Sequence, residues 1–160
     1  AAVSAHRQSH PWETGRSRVY LAGCQRLAGR TEAARTTLVE ARKELVSETQ
    51  RFDPMYYRSC LMFWFYEAAR TTLDAGDADR AYNLALLGLS SFDAYGGWQW
   101  PGSGLHRTAA WACRAKGWKA RADRHVEALD RLIGNQPGNA ALARIQQEAR
   151  GPHRLDGEIY

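Results

Sequence analysis

Three glycines, Gly29, Gly76 and Gly117, hold the same place in three similar stretches, LAGCQRLAGRTEAARTTLVEA, YEAARTTLDAGDADRAYNLALLG and AAWACRAKGWKARADRHVEAL. Each lies between two Ala-rich apolar runs. A glycine at such a point lets one helix end in a left-handed residue and the next begin almost at once, so the two pack as an antiparallel hairpin. Five residues after each glycine comes an alanine, Ala34, Ala81 and Ala122, small enough for close helix approach. Repetition of a helical hairpin predicts a stack of such units, an architecture suited to holding another molecule.

The chain of 160 residues is long enough to bury a sizeable core. Its hydrophobic share of 44%, with six Trp and seven Tyr, argues against disorder of the whole chain. No apolar run approaches the roughly 20 residues needed to span a bilayer, and CLMFWFY, 60–66, reads as part of a buried helix. The formal charge is +5, and the positive side is almost wholly Arg. Arginine forms bidentate pairs with carboxylate and phosphate, which leaves acidic partners open, although an Ala- and Arg-rich chain is also what a GC-rich bacterial genome encodes. No long basic block marks a nucleic-acid arm. Cys24, Cys60 and Cys113 share no CxxC spacing and fall in apolar helical stretches, so all three are expected to be buried thiols in a reducing, cytoplasmic compartment. The opening AAVSAHRQ, without Met, fits a trimmed chain or a mature exported one.

The pattern predicts seven helices and no sheet. Residues 1–9 read as a loose terminus, 10–150 as a single helical domain and 151–160 as a flexible tail. The first helix starts near His10 with Pro11 in its first turn, carries Val19, Tyr20, Cys24 and Leu27 on one side, and ends at Gly29. The second runs from Thr31 to about Gln50. Asp53-Pro54 starts a third that is apolar almost all round and is expected to be central. Gly76-Asp77 turns the chain into a largely buried fourth. GGWQWPGSG, 96–104, is expected to be a loop, followed by helices over 105–116, 118–133 and, after the cap Asn139, 140–150.

These hairpins resemble tetratricopeptide repeats. That family places a small residue in the first helix, Gly or Ala at the turn, and an alanine, a large apolar residue and a further small residue in the second helix. Here the first unit supplies Ala22, Gly29, Ala34, Leu38 and Ala41, the second Ala69, Gly76, Ala81, Ala85 and Gly88, and the third Ala110, Gly117, Ala122, Val126 and Leu129. The turns are 47 residues apart (29 to 76) and then 41 (76 to 117). The family period is about 34, so the fold expected is a tetratricopeptide-like α-solenoid of three extended hairpins plus a terminal helix. An internal copy of EAARTTL, at 32–38 and 67–73, does not follow the glycine register and is read as chance.

In the resembled family the first helices line a concave groove. The corresponding positions here are Arg16, Val19, Gly23 and Arg26, then Phe63, Tyr66, Arg70 and Leu73, then Gly104, Arg107, Trp111 and Arg114. The candidate peptide-binding groove is therefore Arg16, Arg26, Phe63, Tyr66, Arg70, Arg107, Trp111 and Arg114, a basic and aromatic trough with Arg70 and Arg107 expected to be exposed. Planar forks for carboxylates beside apolar rings suit an extended acidic peptide. Trp98 and Trp100 form a second candidate in the 96–104 loop. His6 and His10 have i, i+4 spacing without further ligands, and the expectation is no metal and no cofactor. No catalytic set is visible, so the chain reads as a non-enzymatic interaction scaffold. The alternatives are a sensor segment of a larger regulator, or nucleic-acid binding through the Arg-rich face. Leu142 and Ile145 on the last helix suggest homodimerisation.

Overall fold

The computed structural model describes residues 11–47, 54–93, 99–134 and 139–153, with the side chains of 11–14, 47, 54–56, 58, 92–93 and 99–100 left aside. The described residues form seven helices and no strand: α1 (Pro11–Leu27), α2 (Thr31–Ser47), α3 (Pro54–Asp74), α4 (Ala78–Asp93), α5 (Gln99–Ala115), α6 (Lys119–Ile133) and α7 (Ala140–Arg150).

The three hairpin turns are built alike. Gly29, Gly76 and Gly117 have φ of 73°, 86° and 73°, and among the described residues they alone take positive φ. In each turn the glycine N–H donates to the carbonyl three residues back, and the next N–H to the carbonyl five back. The pairs are Gly29 to Arg26 (2.9 Å) and Arg30 to Gln25 (2.8 Å), Gly76 to Leu73 (2.9 Å) and Asp77 to Thr72 (3.1 Å), and Gly117 to Arg114 (2.9 Å) and Trp118 to Cys113 (2.8 Å). This is the Schellman closure of a helix end, and it satisfies carbonyls that the helix cannot. A Cβ on any of the three would meet nothing within 4 Å, so the requirement is backbone conformation alone. Asp77 then caps α4 by accepting from Arg80 N–H at 3.0 Å, and Asn139 caps α7 by accepting from Ala141 and Leu142 N–H at 3.1 and 3.2 Å.

Small residues set the packing distance. Ala22, Ala69 and Ala110 in the first helices, and Ala34, Ala81 and Ala122 in the second, are all fully buried. Each helix packs on its neighbour in sequence, and α1, α3, α5 and α7 also touch in a row. Among the described residues the backbones of α2, α4 and α6 stay apart, and the outer helices meet only through side chains, as where Tyr82 on α4 lies edge-on to His125 on α6. The first helices and α7 thus form a continuous inner row, and the second helices lie outside it with side-chain contact alone between them.

The 96–104 segment departs from expectation, because α5 begins at Gln99. Pro101 sits in its first turn, where its missing N–H leaves no bond unmade. Of the glycines that suggested a loop, Gly102 and Gly104 are buried within the helix while Gly96 and Gly97 lie outside the described residues, and Gly104 serves close approach: a Cβ there would lie 2.6 Å from the Tyr66 ring. Every residue from Pro101 to Cys113 is buried except the half-buried His106, so α5 shares the central place expected for α3 alone. In α1 the expected apolar side is split, with Val19 buried while Tyr20 is 44% exposed and Cys24 is exposed. Only Cys60 and Cys113 are buried thiols. In α4, Leu86 and Leu87 face outward. Leu142 and Ile145 are buried with Leu129, Ile133 and Ala149 inside the chain, which removes them as a surface for self-association.

Candidate functional site, the inner row

The inner helices bring Arg26, Tyr66, Arg70, Arg107 and Trp111 together, but as a buried seam and not an open trough. Arg26, Arg70 and Arg107 are only 5%, 2% and 1% exposed, against the expectation that Arg70 and Arg107 face solvent. The reason lies in helix-to-helix spacing: the row is close enough for long side chains on one first helix to reach across to the next.

Each guanidinium is met by a group from another element or turn. Arg26 on α1 donates from Nε to Glu67 at 3.1 Å and from Nη1 to Asp74 at 3.3 Å, both on α3. Arg70 donates to the Tyr66 hydroxyl at 2.9 Å, and Arg107 on α5 donates to the same oxygen at 2.8 Å. Arg107 also donates to the Glu148 carboxylate of α7 at 2.6 Å. Trp111 lies beneath two cations, its ring centre 4.8 Å from the Arg107 guanidinium carbon and 5.7 Å from that of Arg70. Three buried cations are therefore set against Glu67, Asp74 and Glu148, in keeping with the rule that buried charge must be paired.

The carboxyl end of α7 and the residues after it complete the seam. Trp111 Nε1–H donates to Glu148 O at 2.9 Å, while Arg114 donates to Ala149 O and, at 3.3 Å, to Gly151 O. His153 places its ring 4.8 Å from that of Trp111 and bonds Asp74 at 2.6 Å. Contacts therefore run past Gly151, where a flexible tail was expected to start, and 154–160 lie outside the described residues. Burial alone would raise the Asp74 carboxyl, but the His153 hydrogen bond and the positive fields of Arg26, His153 and Arg70 together offset it and hold the group below its ordinary value.

The other expected groove residues fall elsewhere. Arg16 is exposed and donates to the Tyr20 hydroxyl one turn on, at 3.3 Å. Phe63 is half-buried and, with Val19, Tyr20, Gly23, Tyr66 and Glu67, lines a recess of about 10 Å³ between α1 and α3. The side chains of Trp98 and Trp100 lie outside the described residues, as do His6 and His10. The sequence reading missed the anions Glu67, Asp74 and Glu148 and the partner His153. A signal existed for two of them: Glu67, Arg70 and Asp74 follow i, i+3, i+7 spacing, which places them on one face of α3.

A second polar pair sits between α5 and α6. His106 and His125 approach through Nδ1 at 3.1 Å, one donating and the other accepting, with Tyr82 edge-on to His125. Burial, the neighbouring His125 and Arg131 lower His106 to about 4, and burial and Arg124 lower His125 as well. Both shifts favour the neutral ring.

Among the described residues no group of three or more His, Cys, Asp or Glu is placed to hold a metal ion, and no helix is long and apolar enough to cross a membrane. No protein-family model, curated protein or solved structure matches the chain.

Proposed function

We propose that this chain is a non-enzymatic protein-interaction scaffold of tetratricopeptide-like design, whose inner row reads a peptide offering a carboxylate and free backbone carbonyls. The observation that carries this reading is the way Arg107, Trp111 and Arg114 treat Glu148 to Gly151: one carboxylate and three carbonyl oxygens are taken by side-chain donors spread along α5. Such a donor set accepts many sequences through the main chain and selects acidity at one position. Arg26, Arg70 and Arg107 are paired with carboxylates and a tyrosine inside the fold, which favours this reading over one in which the inner row tracks nucleic-acid phosphates.

Because Arg70 and Arg107 are buried, reversing their charge would unfold the protein before it tested binding. Arg114, half-buried at the edge of the row, is the better probe. Short acidic peptides should bind the full chain, and Arg114→Glu should weaken them by about 10-fold through charge repulsion. If no acidic peptide binds better than a scrambled neutral one, either to the parent or to a His153→Ala variant, the reading is wrong.

A further inference from the structure

The gap between α4 and α6 lies on the outer side of the molecule. The two helices meet across it through side chains, with Tyr82 on α4 edge-on to Trp118, at the mouth of α6, and to His125 within it. α5 lies beneath, and His106, half-buried where its neighbours from Pro101 to Cys113 are buried, is the point at which α5 reaches the floor of the gap.

The α6 wall is of one sign. Arg121, Arg124 and Arg131 are exposed and Ala128 is half-buried between them, and their i, i+3, i+7, i+10 spacing sets all four on one stripe. Asp123, Glu127 and Asp130 fall on the other edge, which faces α7, because Asp130 accepts from Gln146 at 2.7 Å and from Arg150 at 2.8 Å. The arginine stripe therefore lies toward α4. Its field reaches into the gap: after burial and His125, it is Arg131 that lowers His106, and after burial, Arg124 lowers His125.

Elsewhere arginines are matched within the chain, as Arg18 is by Glu44, Arg35 by Glu32 and Arg150 by Asp130. Among the described residues Arg121, Arg124 and Arg131 have no carboxylate partner. Arg121 stacks over Trp118, 4.7 Å from the ring centre, which steadies the guanidinium without neutralising it. Part of the formal +5 is thus gathered on one wall with no counter-charge. The α4 wall opposite is neutral and partly apolar. Leu86 there is 38% exposed, Asn83 and Ser90 flank it at helical spacing, and Asp79 on the same stripe is already held by Lys116 at 2.6 Å.

We infer that the gap between α4 and α6 is a docking groove for an amphipathic helix of a partner protein, its acidic edge on Arg121, Arg124 and Arg131 and its apolar seam toward Leu86. The stripe is about 15 Å long, and a helix laid along it repeats the same rise, so its acidic residues fall at i, i+3 and i+10. A charged wall beside an apolar one suits a helix in a groove. A nucleic-acid duplex suits it less, because the described residues of the α4 wall bring no unpaired cation and Asp123 and Glu127 border the stripe and repel phosphate. This groove is separate from the inner row and does not depend on the reading given to it.

The test is fluorescence anisotropy on the full chain with two labelled, end-capped peptides. SELQELAQALQELAQA carries glutamates at i, i+3, i+10 beside a leucine seam, and SQLEQLAEALEQLAQA has the same composition with the glutamates moved behind the seam. The first should bind about 10-fold more tightly than the second, and less tightly as salt is raised. Arg121→Glu/Arg124→Glu/Arg131→Glu should weaken it by about 10-fold or more with the circular dichroism of the parent kept, since all three residues are exposed. Leu86→Asp, on the facing wall, should weaken it independently, and decides the matter if the triple variant loses helical signal. Arg114→Glu on the inner row should leave it unchanged, so the two readings fail separately. No binding of the first peptide, equal binding of the two, or parental affinity in either groove variant would overturn the inference. A DNA duplex bound through the same arginines more tightly than the peptide would overturn it too and assign the stripe to nucleic acid.

Discussion

The heptapeptide EAARTTL occurs twice, and the same substitution in its two copies should have very different effects. In α2, Glu32 is 80% exposed at its side chain and pairs with Arg35 one turn on at 2.9 Å. In α3, Glu67 is 4% exposed and holds Arg26, itself 2% exposed, at 3.1 Å. Glu→Gln keeps the shape in both places and removes the charge. At position 32 this forfeits an exposed i, i+3 pair worth about 0.3 kcal/mol. At position 67 it leaves a buried guanidinium short of an anion, a loss that runs to about 3–5 kcal/mol when nothing else compensates. Asp74 still reaches Arg26 at 3.3 Å, which puts the expectation at the lower end. For a chain of this size about 3 kcal/mol corresponds to a fall in Tm of roughly 6–12 °C, against about 1 °C for Glu32→Gln. Thermal unfolding followed by circular dichroism at neutral pH resolves that difference. Equal shifts for the two variants, or a Glu67→Gln protein within about 2 °C of the parent, would refute the claim that the inner seam is charge-balanced.

Gly104→Ala should destabilise by about 1–3 kcal/mol in urea titration, because a Cβ 2.6 Å from the Tyr66 ring outweighs the helix propensity that alanine adds; a stabilised variant would show that α3 and α5 are not so closely apposed. Gly76→Val should cost about 1 kcal/mol or more, since its φ of 86° suits glycine and no contact compensates; an unchanged melting temperature would count against the turn. The folded state favours neutral His106, so the unfolded chain binds more protons between its ordinary value of 6.5 and about 4. Stability from this ring is fully present above that range and declines as pH falls through it. Denaturant midpoints measured across that window should fall less steeply in a His106→Asn/His125→Asn variant, and parallel slopes would disprove the assignment.

Much of the backbone was legible because it depends on local chemistry. Gly29, Gly76 and Gly117 announce their turns, since few other residues take left-handed φ, and the alanines five positions later announce close packing. Asn139 and Pro54 mark helix starts for equally local reasons. Gly104 misled because one residue type answers two needs, and a glycine required by a ring on α3 looks like one required by a loop. The inner seam was hidden for a further reason. Arg70 and Arg35 share identical flanking residues, and only the row of helices around Arg70 makes one buried and the other exposed. Glu148 and His153, far along the chain from Arg107 and Asp74, carry no local mark of their pairing.

The inner helices approach backbone to backbone in a row while the outer ones meet only through side chains such as Tyr82 and His125, and this unequal contact governs how the molecule can deform. The row acts as a spine held by short polar links between neighbouring helices. Flexing that parts α2, α4 and α6 separates ring contacts such as Tyr82–His125 but stretches no hydrogen bond described among those helices, whereas lengthening the spine pulls directly on Arg26–Glu67, Arg107–Tyr66 and Arg107–Glu148. The structure is accordingly more compliant among its outer helices than along its inner row, so a load applied end to end would be borne first by these three arginine links.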